Sequence, residues 1–352
     1  MAVPPADFIG FACAYTPLPV IAAAGGAPYR VLPMTESPDQ AGRMLHDNIC
    51  PHVKRILDRA IDRDLPELRG MVFVNSCDAM RRLYDAWRRV DGAAPSVLID
   101  LPPTADESAV AFFAGEIERL ARTVESWCGR TIDRSKLSKA VEQHNVLCDR
   151  VDALTRRVEA GTLEGGWSRL QAALNLAATT PFDAALKHLD GLLGEAPADR
   201  RRASDPPIFL FGNVLPDPDA HALFEACGAR IVGEDMCTGS RTFTRIDSDS
   251  TEDSCRLLAA SLLRRPRCAR TFDASDPGRM SQDVLDAVKR SGAKGAICHT
   301  VKFCDPYLVR LPLVREALQR EGYPLLVLEG DCTLRSMGQH RTRIEAFAEM
   351  LR

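Results

Sequence analysis

Seven short apolar runs recur along the chain, each bounded by polar or turn-forming residues. They are DFIGFA (7–12), GMVFVN (70–75), PSVLIDL (95–101), PIFLFGN (207–213), ARIVGED (229–235), AKGAIC (293–298) and PLLVLEGD (324–331). Runs of this length with no two-residue alternation predict strands buried on both faces. Between most of them the apolar spacing changes to the 3.6-residue period of a helix. CPHVKRILDRAID starts with Pro51 one residue inside the predicted helix, where the missing N–H costs nothing. DPDAHALFEACG opens on Asp217 and Pro218 and stops at Gly228, as helix ends do. SQDVLDAVKRSG and the closing GQHRTRIEAFAEMLR read the same way. Strand–helix alternation predicts an α/β fold with doubly wound parallel sheets.

The middle of the chain breaks that rhythm. Residues 106–129 and 133–161 are long amphipathic helical patterns with no strand between them. GEAPADRRRASDPP (194–207) is polar, charge-dense and contains proline, the character of a linker. The chain therefore divides into an N-terminal α/β unit with a helical extension (1–200) and a C-terminal α/β unit (201–352). No internal repeat is evident in the sequence.

Composition narrows the function. Apolar residues make up 45% of the 352 positions and charged residues 26%, as in a soluble globular protein. A net charge of −3 gives no basic field, so neither nucleic acid nor an acidic membrane is an expected partner. No cationic segment precedes an apolar run at the start, and no apolar stretch is long enough to span a bilayer, so a cytoplasmic location is expected.

Twelve cysteines then need a reason. In a reducing compartment they are packing residues, metal or cluster ligands, or redox thiols. Their positions separate these readings. Cys13, Cys77, Cys237, Cys304 and Cys332 each follow a predicted strand, and ligands of open α/β sheets bind beyond the carboxyl ends of the strands. Cys128, Cys148, Cys227 and Cys255 fall within helical patterns and read as packing. Cys50 and Cys77 stand at predicted helix starts, where free N–H groups and the helix dipole favour a thiolate. No C-x-x-C occurs, which excludes a thioredoxin motif and a zinc ribbon and leaves a cluster assembled from separate loops.

Six ordered blocks carry a family resemblance: CAYTPLPVIAAAGGAPYRVLP (13–33), NICPHVKRILDRA (48–60), VFVNSCDAMRRLYDAW (72–87), GEDMCTGSRTF (233–243), HTVKFCDPY (299–307) and GQHRTRIEAFAEML (338–351). Together they resemble the 2-hydroxyacyl-CoA dehydratase / benzoyl-CoA reductase family, which includes the double-cubane cluster proteins. The resemblance implies two Rossmann-like domains holding an iron–sulfur cluster between them. It implies a homodimer or a heterodimer with a related subunit, and a separate ATP-dependent activator carrying its own [4Fe-4S] cluster. It also implies an acyl-CoA substrate that is dehydrated through a ketyl radical or reduced. Position by position, Cys13, Cys50 and Cys304 resemble the ligands of one [4Fe-4S] cluster. Cys77, Cys237 and Cys268 fall where the double-cubane type, with its [8Fe-9S] cluster, carries further ligands.

Four points stay open at this level. Cys298 competes with Cys304 as the C-terminal ligand, and Cys304 is preferred because it lies past the apolar run. His299, beside that loop, is the candidate proton donor, against the plainer reading of a hydrogen-bonded loop histidine. Leu18 and Pro19 stand where the family's pattern has an acidic residue after YTP, which puts conventional dehydration in question. Arg341 and Arg343 read either as contacts to CoA phosphates or as solvated helix residues. AAAGGAP lacks the G-x-G-x-x-G pattern, so no dinucleotide site is expected.

Overall fold

The computed structural model describes residues 7–34, 39–199, 205–247, 253–266, 268–273, 275–332 and 337–352. The N-terminal half is a four-stranded parallel sheet of β1 (Phe8–Phe11), β2 (Ala27–Arg30), β3 (Leu68–Asn75) and β4 (Ser96–Asp100), in the order β2-β1-β3-β4. Parallel neighbours cannot be joined by a tight turn. The crossovers are α1 (Leu18–Ala23), α2 (Pro51–Ile61) and α3 (Asp78–Trp87). Strand β2 has no counterpart among the predicted runs. It is four residues long, contains Pro28 and follows Gly25 at φ 76°. Proline is tolerated there because β2 is the sheet's edge, where one side of the backbone needs no ladder partner.

Four helices follow without a strand: α4 (Glu107–Cys128), α5 (Arg134–Glu159), α6 (Gly166–Thr179) and α7 (Phe182–Leu193). Asp106 and Asp133 cap the first two, each accepting a backbone N–H three residues on. Gly129 ends α4 in the left-handed conformation (φ 63°).

The C-terminal half contains β5 (Pro207–Gly212), α8 (Pro218–Ala226), β6 (Arg230–Asp235), α9 (Ser254–Arg264), α10 (Arg279–Ser291), β7 (Gly295–Val301), α11 (Asp305–Arg320), β8 (Leu325–Gly330) and α12 (Met337–Leu351). Its sheet is again parallel, in the order β6-β5-β7-β8. The fold is thus α/β with two Rossmann-like units of the same strand order, a repeat that the sequence does not display.

The helices between the sheets belong to both halves. One apolar core runs from Ile9 and Val72 through Leu120, Leu147 and Leu174 to Leu210 and Ile231. Trp167 on α6 donates its indole N–H to the carbonyl of Ile231 at 2.8 Å. Asn145 on α5 exchanges two hydrogen bonds with the backbone of Ile246, at 2.8 and 2.9 Å. The division drawn between residues 200 and 201 lies outside the described residues. Among the described residues no helix is long and apolar enough to cross a membrane.

Strand β7 is longer than the apolar run predicts. It continues past Cys298 through His299 and Thr300 to Val301, because β8 stays in register with it up to Gly330. His299 is therefore a strand residue, fully buried, and not part of a loop.

Candidate active site at the carboxyl ends of two sheets

The six cysteines singled out by position and resemblance stand on six separate segments. Cys13 opens the turn after β1, closed by Thr16 N–H donating to its carbonyl at 3.0 Å. Cys50, Cys77 and Cys304 each occupy the residue before a helix, α2, α3 and α11 respectively. No side chain caps those three helices; a thiol stands where Ser or Asp is usual. Cys237 follows β6 and is fixed by its N–H donating to the carbonyl of Asn213 at 2.7 Å. Cys268 lies in the turn after α9, where Thr271 N–H donates to its carbonyl at 2.9 Å. Phe303 enters Cys304 at φ 59°, in a region that non-glycine residues seldom adopt.

All six line one cavity of about 110 Å³. A second, more open space of about 310 Å³ adjoins it and shares Cys50, Cys77, Cys304 and Arg270 as walls. Its rim carries Phe303, Val309 and Arg310, with Phe303 and Val309 exposed.

Cys298 and His299 lie elsewhere. Cys298 is fully buried in the apolar core beneath β7, and neither residue lines the cavity. The His299 ring has no hydrogen-bond partner at either nitrogen. Burial, and then His340 and His221 nearby, push it down to about 3. A neutral imidazole walled off in a strand does not fit the role of proton donor at the thiols. Cys332 is buried in core packing beside Val53 and Cys50. Leu18 is buried at the start of α1. Arg341 pairs with Glu345 along α12 at 3.4 Å, and Arg343 donates to the Val327 carbonyl at 2.7 Å.

Three arginines that local sequence spacing does not single out line the same cavity: Arg30, Arg265 and Arg270. Arg30 donates to the Cys237 carbonyl at 2.7 Å and to the Thr242 hydroxyl. Arg265 donates to the carbonyls of Ala14 and Arg241 at 3.1 and 2.6 Å, and lies over the Tyr15 ring at 3.9 Å. Arg270 donates to the carbonyls of Ser76, Leu101 and Pro102. Among the described residues none of the three is ion-paired to a carboxylate. Burial pulls Arg30 down to about 10. Arg30 and Arg265 are buried and Arg270 half-buried, and a buried cation without counter-charge is costly. The sequence signal is faint: an arginine closing an apolar stretch in APYRVLP, and arginines on both sides of Cys268 in RRPRCAR.

The thiols differ in their electrostatics. Burial, with Cys304 beside it, raises Cys50 to about 12, and burial raises Cys77 to about 11, although backbone N–H groups at their helix starts act in the opposite direction. Desolvation thus outweighs the helix terminus, and binding a metal there must displace protons. Burial also raises Cys13 and Cys304. Cys237 is the exception. A hydrogen bond from Cys268, then the Arg241 and Arg30 cations, hold it down near 5. Arg241 donates to its sulfur at 3.6 Å while gripping Asp235 with two bonds of 2.5 Å.

Among the described residues no three His, Cys, Asp or Glu side chains converge as a single metal ion requires. A polynuclear group makes no such demand, since its ligands are spread around its edge, and thiols are the donors an iron–sulfur group takes.

A family model described as "2-hydroxyglutaryl-CoA dehydratase, D-component" matches residues 13–351. The chain belongs to this family. It is 22% identical over 350 residues to the (R)-phenyllactyl-CoA dehydratase beta subunit of Clostridium sporogenes, covering 97% of this chain and 91% of that one. It is 22% identical to the (R)-2-hydroxyglutaryl-CoA dehydratase subunit beta of Acidaminococcus fermentans, over 86% and 81% of the two chains. With a benzoyl-CoA reductase subunit of Thauera aromatica it shares 20% identity over 92% and 85%. The chain is thus an enzyme of the dehydratase/reductase type, and these relatives are each named as a subunit.

Proposed function

We propose that this chain is the iron–sulfur subunit of a 2-hydroxyacyl-CoA dehydratase-like enzyme, with Cys13, Cys50 and Cys304 holding a [4Fe-4S] cluster. The observation that carries the reading is the cavity itself: thiols from separate loops, with buried arginines and no paired carboxylate, in a chain of this family. Bound, such a cluster supplies a low-potential electron for radical dehydration or reduction of an acyl-CoA. The electron comes from an ATP-dependent activator with its own [4Fe-4S] cluster, and the subunit works as a homodimer or with a related partner. The protein's own part is to hold and shield. The cysteines supply the ligands, Arg30, Arg265 and Arg270 balance the charge, and Tyr15 and Tyr307 close the cavity walls. The space rimmed by Phe303, Val309 and Arg310 is the route from outside to Cys50, Cys77 and Cys304. Leu18 offers no acid, so in the dehydratase reading the proton comes from a partner subunit or from solvent.

A second reading has its own support. Cys77, Cys237 and Cys268 line the same cavity as the other three, which suits an [8Fe-9S] double-cubane cluster acting on small molecules. Iron and sulfide quantitation on anaerobically reconstituted protein decides between them. About four irons per chain support the first reading and about eight the second. Protein that stays colourless and iron-free overturns both.

A further inference from the structure

The two tyrosines on the cavity wall are satisfied differently. Tyr307 donates its hydroxyl proton to the Gly212 carbonyl and accepts from Arg241 at 3.1 Å. Tyr15 is as deeply buried, 2% exposed against 1%, yet its hydroxyl has no hydrogen-bond partner in the protein. Two more wall residues share that condition, His52 at Nδ1 and Arg265 at Nε. A neutral imidazole can leave Nδ1 as a bare acceptor, and Arg265 already donates to Ala14, Arg241 and Thr244. The phenol of Tyr15 is the clear surplus donor. A buried hydroxyl left unpaired is costly, and native proteins carry few of them. Its partner therefore comes from what the cavity holds.

Tyr15 is also held in place. It lies in the turn that Cys13 opens, closed by Thr16 N–H donating to the Cys13 carbonyl at 3.0 Å. The Arg265 guanidinium lies over its ring at 3.9 Å and is itself anchored to the carbonyls of Ala14 and Arg241. A donor fixed beforehand loses little freedom when its partner arrives. Resting on the reading that an iron–sulfur group fills the cavity, we infer that the Tyr15 hydroxyl donates a hydrogen bond to that group. Sulfur in such groups accepts hydrogen bonds, and each one favours the more negative, reduced state. Tyr15 thus raises the reduction potential without ligating iron. Tyr307, its proton committed to Gly212, does not.

The test compares Tyr15→Phe with Tyr307→Phe in the anaerobically reconstituted full chain. Each protein is reduced with dithionite in ordinary and in heavy water. Electron–nuclear double resonance then reads the exchangeable protons coupled to the reduced centre, and a potentiometric titration reads its midpoint. Tyr15→Phe should lose one exchangeable coupling and move the midpoint to lower potential, with its iron content unchanged. Tyr307→Phe should keep that coupling. A full set of couplings in Tyr15→Phe overturns the inference whatever the midpoint does, and so does loss of the same coupling in Tyr307→Phe. If Tyr15→Phe fails to fold or to take up iron, Tyr307→Phe protein labelled with ring-deuterated tyrosine decides. A deuterium coupling from the remaining cavity tyrosine upholds the inference, and its absence overturns it. The inference holds for either iron count. Unmodified protein that stays iron-free overturns the reading beneath it and the inference together, whereas iron-loaded protein with an unaltered Tyr15→Phe spectrum overturns the inference alone.

Discussion

The two sheets have one strand order and give equal numbers of cysteines, yet they treat them differently. The first contributes Cys13, Cys50 and Cys77; the second contributes Cys237, Cys268 and Cys304. Cys77 and Cys304 are topological equivalents, each preceding the helix that leaves the third strand of its sheet. Both are raised by burial. After the first strand the likeness ends. The N-terminal half has Cys13, and the C-terminal half has Asn213, whose side chain bonds Thr300 at 3.1 Å and accepts from Val214 and Val301. Cys237 of the second half is held low by a hydrogen bond from Cys268 and then by Arg241 and, from the first half, Arg30, while burial pushes up Cys50 and Cys77 in the first half and Cys304 in the second. Topology decides where a thiol can stand. The charges beside it decide what it is ready to do.

The largest expected effect comes from the equivalent pair. Cys304→Ser should cost the reconstituted protein roughly half or more of its iron, and Cys77→Ser should do the same in the eight-iron reading and keep the iron in the four-iron one, whereas Cys298→Ser should keep the iron and lose about 1–3 kcal/mol through a buried hydroxyl. Iron loss on Cys298→Ser alone would reverse the ligand assignment. Next is Arg241→Met, which strands Asp235 and removes donors to Gly212 and Tyr307. It should cost about 3–5 kcal/mol in urea unfolding, and a loss below about 1 kcal/mol would mean the pair is dispensable.

Acid should then separate the halves. His221 is held near 4 and His299 near 3 in the second half, mainly by burial, against 6.5 when exposed, and in the first half burial and then Arg30 hold His52 near 3. Groups lowered in the folded state leave stability intact above pH 6.5 and remove it as the pH falls below. Each should cost about 2 kcal/mol by pH 5. Hydrogen exchange at pH 7 and pH 5 should therefore show protection falling more in β5–β8 than in β1–β4; equal losses would contradict it. The smallest effect is Asp217→Ala at the start of α8. It should cost about 1 kcal/mol by urea unfolding. The helices that start at Cys50 and Cys77 have no side-chain cap to lose.

Much of this architecture is legible in the sequence because buried parallel strands announce themselves as unbroken apolar runs. All seven runs are strands, and Asp217, Pro218 and Gly228 bracket α8 as their chemistry requires. Strand β2 escapes because a short edge strand with a proline looks like a loop. The end of β7 escapes because His299 and Thr300 are polar, and only the register with β8 shows that they are still in the sheet. That register is what places His299 in a sealed strand rather than a loop. The arginines escape for a different reason: a buried guanidinium bonded to carbonyls of distant segments has no local spacing to betray it. The expectation of a helix-stabilised thiolate at Cys50 and Cys77 fails on magnitude, since desolvation has the greater effect there.

Gly212 carries one more consequence. It ends β5 at φ 152°, and a Cβ there would lie 1.8 Å from the His299 carbonyl oxygen. Its own carbonyl accepts from Arg241 and Tyr307, both at the cavity side of the second sheet. A side chain at 212 would wedge β5 from β7 and drag that anchoring point with it. Gly212→Ala should thus act as a remote lesion, disturbing the seating of Cys237 and Cys304 from a position that touches neither solvent nor sulfur. A survey of inactivating substitutions would find this position among the least forgiving in the chain, with nothing in its own chemistry to explain why.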